Sequence, residues 1–101
     1  MTFQGKTIDP GKPVYVLCGN YSGKKTDYFF PLCAGEEKKY PSTRILRGVI
    51  TEIRFHQDNP GQATYVRLWC SSIDWAEISL YENQKYYWGN SANAVKKTCI
   101  I

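Results

Sequence analysis

The stretch RILRGVITEIRFHQDNPGQATYVRLWCS, residues 44–71, decides the fold class. In its first half Ile45, Val49, Ile53 and Phe55 fall at odd positions, with Arg47 and Thr51 between them. In its second half Val66, Leu68 and Cys70 fall at even positions. Apolar residues at every second position put one side of a strand in a core and the other in water. Between the halves, Gln57-Asp58-Asn59-Pro60-Gly61-Gln62 is a dense cluster of turn formers. Two alternating runs about such a turn predict a long hairpin. With the turn centred at Asn59-Pro60, Ile53 lies opposite Val66, Thr51 opposite Leu68 and Val49 opposite Cys70. That register buries the same face on both strands, and a one-residue slip turns one strand inside out.

The pattern extends outward in both directions. Pro13 to Cys18 reads as a strand, and Asp27 to Cys33 as a short aromatic one placed at an edge by Pro31. Ala34 to Ser42 is a charged loop, with room for one helical turn around Glu36 to Lys39. Ala76 to Glu82 alternates again, with Ala76, Ile78 and Leu80 against Glu77, Ser79 and Tyr81. A helix capped by Ser71 or Ser72 competes for this segment, and the short Ile- and Tyr-containing run favours strand. Lys85 to Trp88 is a further strand, ended by Gly89-Asn90. Ser91 caps a turn or two of helix through Ala92, Ala94 and Val95, and Thr98 to Ile101 is a last short strand. The expectation is an all-β fold, a small antiparallel β-barrel or sandwich of five to seven short strands with little helix. Residues 1–12 form a polar N-terminal segment with turn chemistry at Asp9-Pro10-Gly11, and residues 13–101 form a single β domain.

Composition narrows the class further. With 101 residues, 43% hydrophobic and 22% charged, the chain fits one small domain. No run of about 18 apolar residues occurs, which excludes a membrane-spanning helix and argues against membrane insertion. Apolar content is too high and net charge too low for a fully disordered chain. A net charge of +4 is mildly basic, below the clustered surplus of many nucleic-acid domains. Most of the lysines come in pairs, Lys24-Lys25, Lys38-Lys39 and Lys96-Lys97, and Glu36-Glu37 locally cancels the second. Aromatic residues make up 15% of the chain, including eight Tyr and three Trp. That exceeds what a small core absorbs and suits binding faces.

Cys18, Cys33, Cys70 and Cys99 form an even set with no C-x-x-C pair, and His56 is the single histidine. No metal site or cofactor is implied by that spacing. In a small Tyr-rich domain the four cysteines predict two disulfides, with Cys18–Cys33 and Cys70–Cys99 favoured, and an oxidising compartment. Asn20-Tyr21-Ser22 is a glycosylation acceptor pattern that fits a surface loop. These features point to a secreted or extracellular protein, with a cytoplasmic protein of four buried thiols as the alternative. Met1-Thr-Phe-Gln-Gly-Lys is too polar for a signal peptide, so secretion requires a mature form.

The outward side of the central hairpin carries the functional signal. On the expected register Tyr65 sits across from Arg54, Arg67 across from Glu52 and Trp69 across from Ile50. Tyr81 joins from the next strand, and His56 flanks the stripe. Rings interleaved with guanidinium groups stack bases, sugar rings or partner side chains. The stripe Tyr65, Arg67, Trp69, Arg54 and Tyr81 is therefore the candidate binding face. His56, Asp58, Cys70, Ser71 and Ser72 are the residue types of nucleophilic catalysis, but they bring no nucleophile elbow, phosphate-cradling loop or metal triad. The expectation is a non-enzymatic recognition domain, of the effector, toxin-subunit or inhibitor class, binding a protein or glycan partner. The alternative is a cytosolic nucleic-acid binder that stacks single strands or nucleotides on the same residues. Residues 44–54, with mid-strand Gly48, resemble the first strands of the oligonucleotide-binding five-stranded Greek-key barrels. The resemblance spans that one hairpin and implies such a barrel.

Overall fold

The structure is a computed structural model that describes residues 1–23, 29–70 and 76–99. Its strands are β1 (Thr2–Phe3), β2 (Lys6–Thr7), β3 (Pro13–Asn20), β4 (Phe29–Pro31), β5 (Ser42–Phe55), β6 (Ala63–Cys70), β7 (Ala76–Tyr81) and β8 (Trp88–Gly89). One helix, α1 (Ala92–Thr98), follows. The main sheet runs β4-β3-β5-β6-β7, with β8 also paired to β3, and every ladder in it is antiparallel. β7 comes back against β4, so the sheet nearly closes into a small all-β barrel. At the seam the Tyr81 N–H donates to the Tyr86 hydroxyl at 3.0 Å, and Tyr86 bridges to Cys33. The order is that of a meander with one short excursion, β4. The Greek-key order implied by the resemblance of residues 44–54 is not formed by these strands.

β5 is long because it serves two partners. Ser42–Val49 pairs with β3 and Gly48–Phe55 with β6. Gly48 sits in both ladders and faces inward. A Cβ there would lie 2.8 Å from the Cys70 Sγ and 3.2 Å from the Leu68 Cβ, so glycine allows the strands to close at this point.

The hairpin forms, and its register near the turn is the expected one: Ile53 opposes Val66, Glu52 opposes Arg67 and Arg54 opposes Tyr65. Beyond Thr51 the register moves by one, so that Ile50 opposes Leu68, Val49 opposes Trp69 and Gly48 opposes Cys70. Thr51 is an extra residue on β5, a β-bulge, and its hydroxyl donates to the Arg67 carbonyl at 3.3 Å. Nearer the turn Thr64 is the extra residue on β6, and its hydroxyl donates to the Arg54 carbonyl at 3.2 Å. The bulge at Thr51 reverses which parity of β5 faces inward. Leu46 and Ile50 are buried, Ile53 packs against the same core, and Val49 is 43% exposed rather than internal.

Two clusters make up the core, one on each side of β3. Val14, Val16 and Cys18 face the barrel interior with Leu46, Ile50, Val66, Leu68, Cys70, Ile78, Leu80 and Trp88. Leu17 faces the other way, onto Leu32, Val95 and Cys99 under α1. β3 is thus covered on both faces, which is why its burial is nearly continuous. The helix starts where Ser91 predicts, with the Ser91 Oγ accepting from the Ala94 N–H at 3.1 Å. It runs through Thr98, where a strand was expected, because Val95 anchors it in the outer cluster. Ile100 and Ile101 lie outside the described residues. The strand expected at Lys85 to Trp88 is shifted to Trp88–Gly89.

Residues 1–12, expected as a polar segment, begin with the β1–β2 hairpin. Gln4 and Gly5 form its turn with φ of 49° and 79°, the positive values a two-residue hairpin turn needs. Phe3 and Ile8 are buried in the main core, and the Phe3 ring lies 5.6 Å from that of Trp88.

The four cysteines are free thiols, so the expected Cys18–Cys33 and Cys70–Cys99 bridges are not formed. Cys18 pairs with Pro31, and Leu32 continues that ladder with a bond to Leu17, which sets Cys33 about two rungs from Cys18. Diagonal partners at that spacing are about 7–8 Å apart at Cα, beyond disulfide reach. Cys70 is inside the barrel and Cys99 under α1, with the sheet between the two clusters. Asn20 corrects the sequon reading. It is 1% exposed, and its Oδ1 accepts from the Ser22 N–H, the Ser22 hydroxyl and the Gly23 N–H, so the amide shapes the turn after β3 instead of facing solvent.

Candidate functional site

All five stripe residues project from the outer face of β5–β6–β7. Three cross-strand rows follow from the ladders: Arg54–Tyr65–Tyr81, Glu52–Arg67–Ser79 and Val49–Trp69–Glu77. The β5–β6 pairs of the first two rows are those the sequence predicts, and in the third the bulge substitutes Val49 for Ile50.

The face is ordered by its own contacts. The Tyr65 and Tyr81 rings lie 5.3 Å apart, tilted by 54°. The Tyr65 hydroxyl is 3.2 Å from the Ser79 Oγ and accepts from the Arg67 Nε–H at 2.8 Å. Arg67 also pairs with Glu77 at 3.0 Å and with Glu52 at 3.2 Å, and Arg54 pairs with Glu52 at 3.0 Å. Two arginines thus meet two glutamates in one surface network. These are all the ion pairs found among the described residues. α1 covers the outer side of β3 and stops short of this face, where Tyr81 is 46% exposed and Val49 43%. Trp69 and Tyr65 are half-buried.

Arg54, hydrogen-bonded to Glu52, holds that carboxyl below its ordinary 4.5, with Arg67 adding to the effect. The expected result is a Glu52 carboxyl that titrates below 4.5 by carbon-detected NMR and returns toward 4.5 in Arg54→Gln. Because the folded pKa is depressed, the linked stability is present above pH 4.5 and is lost as pH falls through the folded value. An unchanged Glu52 titration in Arg54→Gln would show that the network does not hold in solution.

Among the described residues, His56 and Asp58 meet only through the backbone of the turn, and Cys70 lies apart from them in the core. His56 accepts from the Asp58 backbone N–H through its Nδ1 at 3.2 Å, within the hairpin turn. Cys70 is buried in the core, where burial pushes its thiol up to about 11. Ser71 and Ser72 lie outside the described residues.

Sequence reasoning missed a second aromatic group. Tyr21 stacks on Phe30 at 4.7 Å, and Tyr40 meets both rings edge-on, at 5.1 Å from Tyr21 and 4.8 Å from Phe30. The three residues come from the ends of β3, β4 and the following loop, so no periodicity links them. Tyr21 is 72% exposed. The fold and this face define a small antiparallel β-barrel with an aromatic and ion-paired outer surface. No family model, no curated protein and no solved structure matches the chain.

Proposed function

We propose that the protein is a non-enzymatic recognition domain whose outer β5–β6–β7 face docks a protein or glycan partner. The observation that carries this reading is the convergence of Tyr65, Trp69, Tyr81, Arg54 and Arg67 on one sheet face that no described helix or strand covers. Tyr, Trp and Arg are the residues that dominate binding energy at interfaces. Internal contacts pre-order the Tyr65 and Arg67 side chains, which lowers the entropy lost on docking. Charge balance weighs against the nucleic-acid alternative, since Glu52 and Glu77 offset the two arginines and phosphate binding draws on uncompensated positive charge. With the four thiols unpaired, the cysteine argument for an oxidising compartment falls away, and the reading stands on the face alone.

The test is a glycan array together with photo-crosslinking from position 79, which lies opposite Arg67 on the same face, each repeated with Trp69→Ala and Tyr81→Ala. A ligand of this face loses about tenfold or more in affinity in at least one variant, the size of a typical hot-spot effect. Ligands that bind both variants like the parent protein would place recognition elsewhere. Steep loss of binding with salt would favour the nucleic-acid reading.

A further inference from the structure

A second candidate site, sharing no residue with the aromatic face, lies where the N-terminal hairpin meets the segment leading into β8. The Lys6 ammonium sits 4.7 Å from the centroid of the Trp88 ring and donates to the Trp88 carbonyl. An ammonium has three N–H donors and this bond uses one. No carboxylate pairs with Lys6 or Lys85 among the described residues, since the ion pairs there belong to the β5–β6–β7 face. Burial lowers the Lys6 pKa, as it does for a cation taken partly out of water.

Lys6 and Lys85 line a groove of about 420 Å³ together with Glu82, Tyr87, Trp88 and Thr98. That volume lies within the range of small-ligand sites. Glu82 is the one acid in the lining, and one of its carboxylate oxygens is held by the Gln62 side-chain amide. The Tyr87 hydroxyl donates to Glu37 at 2.7 Å and the Thr98 hydroxyl to the Val95 carbonyl at 2.8 Å. Both hydroxyls are therefore committed, and the free donors of the groove are the two ammonium groups. Lysine recognises phosphate-like groups as a point charge.

We propose that this groove binds a tetrahedral oxyanion, a phosphate or sulfate group, with Lys6 and Lys85 as its charge partners. The site is separate from the aromatic face and does not depend on the function proposed for it. The Trp88 indole N–H, which donates to the Gln4 Oε1 at 3.0 Å beside Lys6, is a built-in reporter.

The experiment is an amide and indole NMR titration with inorganic phosphate, methyl phosphate and methyl sulfate, against chloride at matched ionic strength. The expected result is saturable movement of the Trp88 indole and Lys85 amide signals in the millimolar range. Lys6→Gln and Lys85→Gln each weaken that binding by about threefold or more. Saturation by inorganic phosphate alone identifies a free anion. Saturation by the esters as well identifies a group carried on a larger molecule. Both outcomes support the site. Linear shifts equal to those in chloride would overturn it, and so would binding unchanged in Lys85→Gln. Lys85 is exposed, so its variant remains informative should Lys6→Gln fail to fold.

Discussion

Replacing Phe3 with alanine lowers the unfolding free energy by about 3–5 kcal/mol, the usual cost of truncating a buried aromatic ring. The position argues against such a cost, because chain starts are commonly frayed. The contacts argue for it. Phe3 is fully buried in the main cluster and packs on Trp88, itself 1% exposed. Its hairpin is fastened from both sides. The Thr2 N–H donates to the Gly61 carbonyl at 2.9 Å, tying β1 to the β5–β6 turn. The Gln4 amide reaches the carbonyls of Tyr81, Glu82 and Gln84 and accepts from the Trp88 indole, tying the turn to the segment after β7. The backbone around Phe3 is therefore poorly placed to collapse into the cavity left by the ring. Small domains have about 5–15 kcal/mol of stability in total, so the loss is a large share of it. A melting temperature lower by about 12 °C or more is expected. Met1→Ser, at a residue 45% exposed, is the control and stays within about 0.5 kcal/mol of the parent protein. A Phe3→Ala protein within about 1 kcal/mol of the parent would show that the hairpin does not close the barrel in solution.

The same contrast explains what the sequence reveals and what it hides. The β5–β6 hairpin is legible because alternation and turn chemistry act over neighbouring residues. The rows built on Tyr65 and Arg67 lie between the extra residues Thr51 and Thr64, where the register is regular. Val49 was misplaced because a bulge adds one residue without changing the residue types around it. Thr51 is as acceptable in a regular strand as in a bulge, and its hydroxyl bond to the Arg67 carbonyl exists only once the strands have paired. Phe3 was hidden for a different reason. A single ring among polar residues has no period, and only the tertiary position of the hairpin turns it inward. In β3 the run from Val14 to Cys18 signals burial, but Leu17 and Cys18 point to opposite sides because α1, more than 70 positions on, covers the outer face. The cysteines fail on the same ground. Their number and spacing do not encode on which side of a sheet each one falls.

Alkylation of the native protein without reductant is expected to modify Cys33 first, with Cys18 and Cys70 slower by a factor on the order of 10³ or more. The thiolate is the reactive form, so two barriers multiply. The first is ionisation. Burial pushes Cys70 up to about 11 and Cys18 well above its ordinary 9.0, and the neighbouring Cys70 adds to the rise at Cys18. Cys33 is raised too, by burial and by Glu36, but its side chain is only half-buried and its Sγ lies 3.6 Å from the Gln84 Oε1 at the surface. The second barrier is access. Cys18 and Cys70 are at most 1% exposed inside the barrel, so a reagent reaches them only when β3 or β6 separates from β5. Cys99 belongs between these extremes. It is 2% exposed, but it caps a seven-residue helix whose end opens without unfolding the sheet. Mass spectrometry after timed quenching gives the order, and guanidinium in the absence of reductant gives the count. Four alkylated cysteines under denaturant confirm an all-thiol chain, the state favoured in a reducing compartment. Two or four resistant cysteines would mean disulfides, and would require the two core clusters to be arranged differently around β3. Equal rates at Cys33 and Cys70 in the native protein would instead mean that the barrel opens at the β5–β6 ladder on the timescale of the reaction, and the aromatic face built on that ladder would lose its rigid support.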